Sequence, residues 1–150
     1  MPLSFEKYLL FFSSELELMT INKLKMSKLI IDATNNKIFF MIIDNKFNYN
    51  ISFENSKNNY EKLTLLINEF LKSKNIKLKR ISKIYVNRGP GSFAGIRNSL
   101  SIVKALHLVT KIDYYCFSFV DFKRESRVEY KNIPDLCKKF KVKKNLINPL

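Results

Sequence analysis

Apolar and polar positions along the chain change period several times, and each change marks an element. Residues 29–31 form a short apolar run ending at Asp32, the pattern of a buried strand. Asn35-Asn36 is a hairpin-type turn pair, and Lys37–Ile43, rich in Ile and Phe, predicts a second strand. Asn45-Lys46 offers another turn. Phe47, Tyr49, Ile51 and Phe53 then alternate with Asn48, Asn50 and Ser52, a period of two that buries one face of a third strand. From Asn58 the period lengthens. Tyr60, Leu63, Ile67, Phe70 and Leu71 fall at helical spacing, with Leu65 and Leu66 widening the apolar surface enough for two partners.

Residues 81–86 predict a fourth strand, which stops at the sharpest local signal in the chain. This is Gly89-Pro90-Gly91-Ser92-Phe93-Ala94-Gly95-Ile96-Arg97, where Gly-Pro-Gly turns the backbone and a helix begins. Ser92 is placed to cap that helix, its hydroxyl accepting from a free amide of the first turn. Phe93, Ile96, Leu100, Val103 and Leu106 make one apolar stripe. Ala94, Asn98, Ser101, Ala105 and Leu108 make a second stripe of mostly small residues, which lets another helix approach closely. Residues 113–119 predict a fifth strand, and 134–140 a short basic helix ahead of a Lys-rich tail. Three strands, helix, strand, helix, strand is the order of an α/β protein, with helices on a mixed five-stranded sheet and parallel crossovers around its later strands.

Residues 1–25 fit this scheme poorly. They read either as an amphipathic helix through Phe5, Tyr8, Leu9, Phe12, Leu16 and Met19 or as an extension with little structure, and Met26 opens a segment that looks like a fresh protein start. The expected division is therefore an extension over 1–25, a domain over 26–122 and a basic C-terminal tail over 123–150.

The chain has 150 residues, 46% of them hydrophobic and 13% aromatic, enough for one domain with a real core. Its net charge is +14. Clusters at Lys72, Lys74, Lys77, Lys79, Arg80 and Lys83, and at Lys138, Lys139, Lys141, Lys143 and Lys144, admit two readings. One is a phosphate-bearing partner such as RNA; the other, weighted more heavily, is a lysine-rich surface following an overall compositional bias. Cys116 and Cys137 form no CxxC pair, so neither a disulfide scaffold nor a zinc site is expected, and a cytoplasmic location is. No apolar run approaches a membrane span, and the glutamates around Leu9 to Phe12 argue against a secretory signal.

Catalytic readings find little support. The Gly89–Arg97 loop lacks the lysine of a P-loop, so a tight structural turn is favoured over a phosphate cradle. Asp32 and Thr34 read from the residues themselves as strand-end turn chemistry. His107 is the single histidine, too few for a His-pair metal site; a triad of Ser92, His107 and Asp113 has no supporting spacing.

The element order resembles one half of the actin-like ATPase (ASKHA, ribonuclease H-like) fold, and that resemblance makes Asp32 and Thr34 weak nucleotide-site candidates. Residues 31–34, Ile-Asp-Ala-Thr, and the nine-residue signature at 89–97 resemble the bacterial TsaB (YeaZ) family, whose signature is close to Gly-Pro-Gly-Ser-Phe-Thr-Gly-Leu-Arg. Ala94 and Ile96 are departures, and the chain is too short for the family's second domain. The resemblance spans roughly 26 to 122. It implies a non-catalytic subunit for tRNA threonylcarbamoyladenosine synthesis, without metal or cofactor, partnered with a TsaD-like catalytic subunit, a TsaE-like ATPase and, indirectly, tRNA. A homodimer through the same helices is a further partner reading. The signature residues are Gly89, Pro90, Gly91, Ser92, Gly95 and Arg97; the implied interface is Leu63, Ile67 and Phe70 on one helix and Ala94, Asn98, Ser101 and Ala105 on the next. The rival readings are a nucleotide-binding enzyme of the actin-like superfamily and a basic tRNA-binding module.

Overall fold

The computed structural model describes Ser4, Glu6, Lys7, Leu9, Leu10 and residues 27–150. The amphipathic-helix reading of the first 25 residues therefore falls largely outside the described residues. From residue 27 the order is β1 (Ser27–Asp32), β2 (Lys37–Ile43), β3 (Asn48–Glu54), α1 (Lys57–Tyr60), α2 (Leu63–Ser73), β4 (Ile81–Asn87), α3 (Phe93–Thr110), β5 (Asp113–Phe117) and α4 (Ile133–Lys139). Short 3-10 turns at Leu78–Arg80, Phe119–Phe122 and Tyr130–Asn132 join them.

The five strands form one mixed sheet in the order β3-β2-β1-β4-β5. β1 pairs antiparallel with β2 and parallel with β4, and β4 runs parallel to β5. This is the meander with two helical crossovers that the sequence predicts. The long helix expected after Asn58 is divided: Lys57–Tyr60 is capped by the Ser56 hydroxyl, and a new helix starts at Leu63 after a break at Glu61-Lys62. The fifth strand ends at Phe117 rather than 119, because Ser118 caps the next turn, its hydroxyl accepting from the Val120 amide.

Alternation along β1 sends its side chains to two cores. Leu29 and Ile31 join Phe40, Ile84, Val86, Leu63, Phe70, Leu100 and Val103 beneath α2 and α3. Ile30 joins Tyr85, Phe117, Phe122, Ile133, Leu136 and Cys137 on the opposite face, beneath α4. The central strands are thus buried on both sides, as parallel strands between helical layers require. Beyond α4 the chain returns alongside β5: Asn145 donates its amide to the Tyr114 carbonyl at 2.8 Å, and Leu150 donates to Arg88 at 2.9 Å.

Candidate functional site

Two features occupy the region singled out by the sequence: a polar network where β1 and β4 end, and an uncovered face of α3. The network is built around Asp32, only 1% exposed. Its Oδ1 accepts from the Thr34 amide at 2.9 Å and the Thr34 hydroxyl at 2.7 Å. Its Oδ2 accepts from Asn87 Nδ2 at 2.9 Å and the Tyr130 hydroxyl at 2.7 Å. Four donors satisfy a carboxylate whose burial would otherwise be costly. Burial, and then the bond to Asp32, push the Tyr130 hydroxyl pKa well above its ordinary value, so it stays protonated as the donor. Asp32 and Thr34 are brought together, but by a self-contained network that closes the strand end. No group of three or more metal-ligating side chains assembles among the described residues.

The glycine signature sits directly above this network. Asn87 Oδ1 accepts from the Gly89 amide at 3.0 Å, and the Ser118 hydroxyl donates to the Gly89 carbonyl at 2.5 Å. The Gly89-Pro90 peptide is cis. The Ser92 amide donates to the Thr34 carbonyl at 2.8 Å, and its hydroxyl accepts from the Gly95 amide at 3.3 Å, as the cap expected of it. A Cβ on Gly91 would lie 2.2 Å from the Thr34 carbonyl oxygen, and one on Gly95 would lie 2.0 Å from that of Ala33. Only glycine lets α3 start this close to the end of β1. Two of the amides a phosphate would need are committed to protein oxygens, so the local chemistry is that of a structural corner.

Arg88, Asn87, Tyr130 and Asp121 were not among the sequence-derived site residues. Arg88 donates to Asp121 at 2.7 Å and to the Asn148 carbonyl at 3.2 Å, tying the corner to the C-terminal segment. Asn87 was findable as the polar residue closing the fourth strand. Tyr130 carries no local signal, since it reaches Asp32 across 98 positions of sequence.

The expected interface divides. Leu63, Ile67 and Phe70 are buried in the chain's own core, the Phe70 ring lying 6.3 Å from Phe40. As free surface they are corrected: of the wide apolar arc of α2, this side meets the sheet, and Leu65 (51% exposed) points outward. On α3, Ile96, Leu100 and Val103 face the sheet, Ser101 and Ala105 are exposed, and Ala94 and Asn98 are half-buried. Phe93 is 79% exposed, Leu108 61% and Val109 83%. The polar members of the stripe are folded back: Asn98 donates to the Ala94 carbonyl and Ser101 to the Arg97 carbonyl, both at 2.8 Å. These bonds satisfy the side chains locally, on a face that also exposes Arg97 and Lys104. An apolar groove lined by Leu65, Leu71, Leu78, Ile102 and Leu106 continues it between α2 and α3. Arg97 is exposed at the rim of a second groove, between α3 and the residues Ile147, Pro149 and Leu150.

His107 Nδ1 lies 2.8 Å from the Ile112 carbonyl and its ring meets Tyr114 edge-on, a structural place at the helix end. Cys116 and Cys137 are buried free thiols, and burial raises their pKa values to about 11 and about 12. No described helix is long and apolar enough to cross a membrane.

Sheet order, double-sided core and helical crossovers define the class: this is an α/β protein with half of an actin-like fold. A family model described as TsaD, tRNA N6-adenosine threonylcarbamoyltransferase, matches residues 53–137, more than half of the chain, and the chain belongs to that family. Within it the likeness is to TsaB/YeaZ. A curated relative, the tRNA threonylcarbamoyladenosine biosynthesis protein TsaB of Buchnera aphidicola subsp. Baizongia pistaciae, is 37% identical over 60 residues, covering 40% of this chain and 27% of the relative. YeaZ from Pseudomonas aeruginosa superposes with a TM-score of 0.58 at 17% identity, covering 62% of this chain and 44% of YeaZ. A second Pseudomonas aeruginosa structure, an uncharacterized protein with similarity to peptidase YeaZ, gives the same TM-score and 43% coverage of its length. The match thus spans less than half the length of each of these relatives.

Proposed function

We propose that this chain is a non-catalytic partner subunit in the synthesis of threonylcarbamoyladenosine on tRNA, and that it docks on a TsaD-like catalytic subunit through the outer face of α3. The observation that carries the reading is the stripe from Phe93 through Ala94, Ser101 and Ala105 to Leu108, unpartnered among the described residues and continuous with the groove beside α2. Apolar side chains left in water along a helix flanked by small residues favour close packing against another helix. Asp32 speaks for a supporting role: its carboxylate already has four donors, which leaves little capacity for a nucleotide or metal at the strand end. Membership of the TsaD family and the likeness to TsaB support the pathway. A TsaE-like ATPase would join through the catalytic subunit.

Complementation tests the reading. Cells depleted of their TsaB-type subunit and expressing this chain should regain the modified nucleoside in bulk tRNA. The double variant Phe93→Asp, Leu108→Asp should fold and fail to restore it. Full restoration by the double variant would remove α3 from the account.

A further inference from the structure

The fold sorts the chain's charges. β1, β4 and β5 start at one end of the sheet, and α2 and α3 both run back to that end. The turns located there carry Lys72, Lys74, Lys77 and Lys79, all exposed, with half-buried Lys28 and Lys83 beside them in adjacent strands at paired register. None of these six forms an ion pair among the described residues. The acids at this end are already engaged, Asp44 with Arg80 at 3.7 Å and Asp113 with Lys144 at 3.6 Å, while Glu69 stands one turn up α2. At the opposite end acids engage part of the basic charge: Arg88 meets Asp121, and Arg127 and Lys131 both meet Glu129, while Lys57, Lys62, Lys123 and Arg124 stand exposed there.

We propose that this basic end binds the phosphate backbone of RNA directly, a contact of the chain's own that is separate from docking through α3. Unpaired lysines on one end of a strongly basic domain set up the field and the counterion release that such binding uses. Half-exposed rings lie among them: Lys74 Nζ stands 5.1 Å from the Tyr49 ring, and Lys83 Nζ 6.0 Å from Tyr115, which itself stacks on Tyr85 at 5.1 Å. Rings flanked by ammonium groups suit stacking of unpaired bases beside paired phosphates. On the lysine-bearing turns themselves Ile76 is buried and Leu78 packs on the core, while Phe47 and Val109 are exposed elsewhere at this end, so acidic vesicles form the competing arm of the test.

The test measures binding of unfractionated tRNA, by fluorescence anisotropy across a salt series, to the full chain and to two quadruple variants. One carries Gln at Lys72, Lys74, Lys77 and Lys79; the control carries Gln at Lys57, Lys62, Lys123 and Arg124, exposed residues of the opposite end, for the same charge change. Each phosphate contact contributes about 0.7–0.9 to the slope of log affinity against log salt, so the first variant should flatten the slope by about three and weaken binding at least tenfold. The control should stay within about threefold, since it keeps every lysine of the basic end. Equal loss in both variants overturns the proposal, as does no tRNA binding by the unaltered chain. Binding to vesicles of acidic phospholipid without binding to tRNA also overturns it, in favour of a membrane surface. Co-purification of the first variant with the catalytic subunit is read in parallel, so failure here is distinguishable from failure of the docking reading.

Discussion

At the scale of single residues, the corner at the end of β1 depends on what is missing from two glycines. Alanine ordinarily favours a helix over glycine by about 1 kcal/mol. At Gly95 that gain is overridden, because a methyl would stand 2.0 Å from a backbone oxygen that cannot turn aside. Gly95→Ala should destabilise the protein by about 1–3 kcal/mol, the range of overpacking, read as a lower midpoint in urea. Tyr130→Phe removes one of four donors to buried Asp32 and should cost about 1–3 kcal/mol by the same measurement. Cys137 gives a pH prediction. Its thiol ionises near 9 in an unfolded chain and near 12 in the folded one, because burial disfavours the thiolate. The stability this contributes is fully present below about pH 9 and is lost as pH climbs toward 12, since the unfolded state then releases the proton first. Native protein at pH 8 should accordingly alkylate at Cys137 far more slowly than protein in denaturant.

Among the elements, the strands were the most legible, because a period of two is short and self-checking. Lys37–Ile43 has the predicted bounds, and the alternation from Tyr49 to Phe53 has its apolar side in the core. The helices kept their period but hid their orientation. Leu63, Leu65, Leu66, Ile67 and Phe70 cover so much of α2 that spacing alone does not choose the side that meets the sheet; the strand neighbours of Phe40 choose it. The two halves of the expected interface therefore separate energetically. Phe70→Ala opens a hole in the core and should cost about 3–5 kcal/mol. Leu108→Asp changes a side chain already in water and should stay within about 0.5 kcal/mol. Thermal melts of the two variants distinguish a core helix face from a free one. The last elements were the least legible, since α4 and the return past Asn145 gain their places from contacts with Tyr85, Phe117 and Tyr114 distant in sequence.

For the molecule as a whole, the sheet is closed above and below, yet among the described residues one flank of α3 stays bare and one end stays basic. The 28 residues after position 122 do more than trail behind the domain: they cover the second face of the sheet through Ile133, Leu136 and Cys137, and supply the Tyr130 donor. What they leave open is the side of α3 between Phe93 and Leu108. Sedimentation velocity on an equimolar mixture of this chain and its organism's TsaD-like subunit tests that surface most directly. The account predicts one heavier boundary containing both chains, reverting to two separate boundaries with Phe93→Asp, Leu108→Asp. Two separate boundaries with the unaltered chain, or a heavier boundary that survives both substitutions, would contradict it.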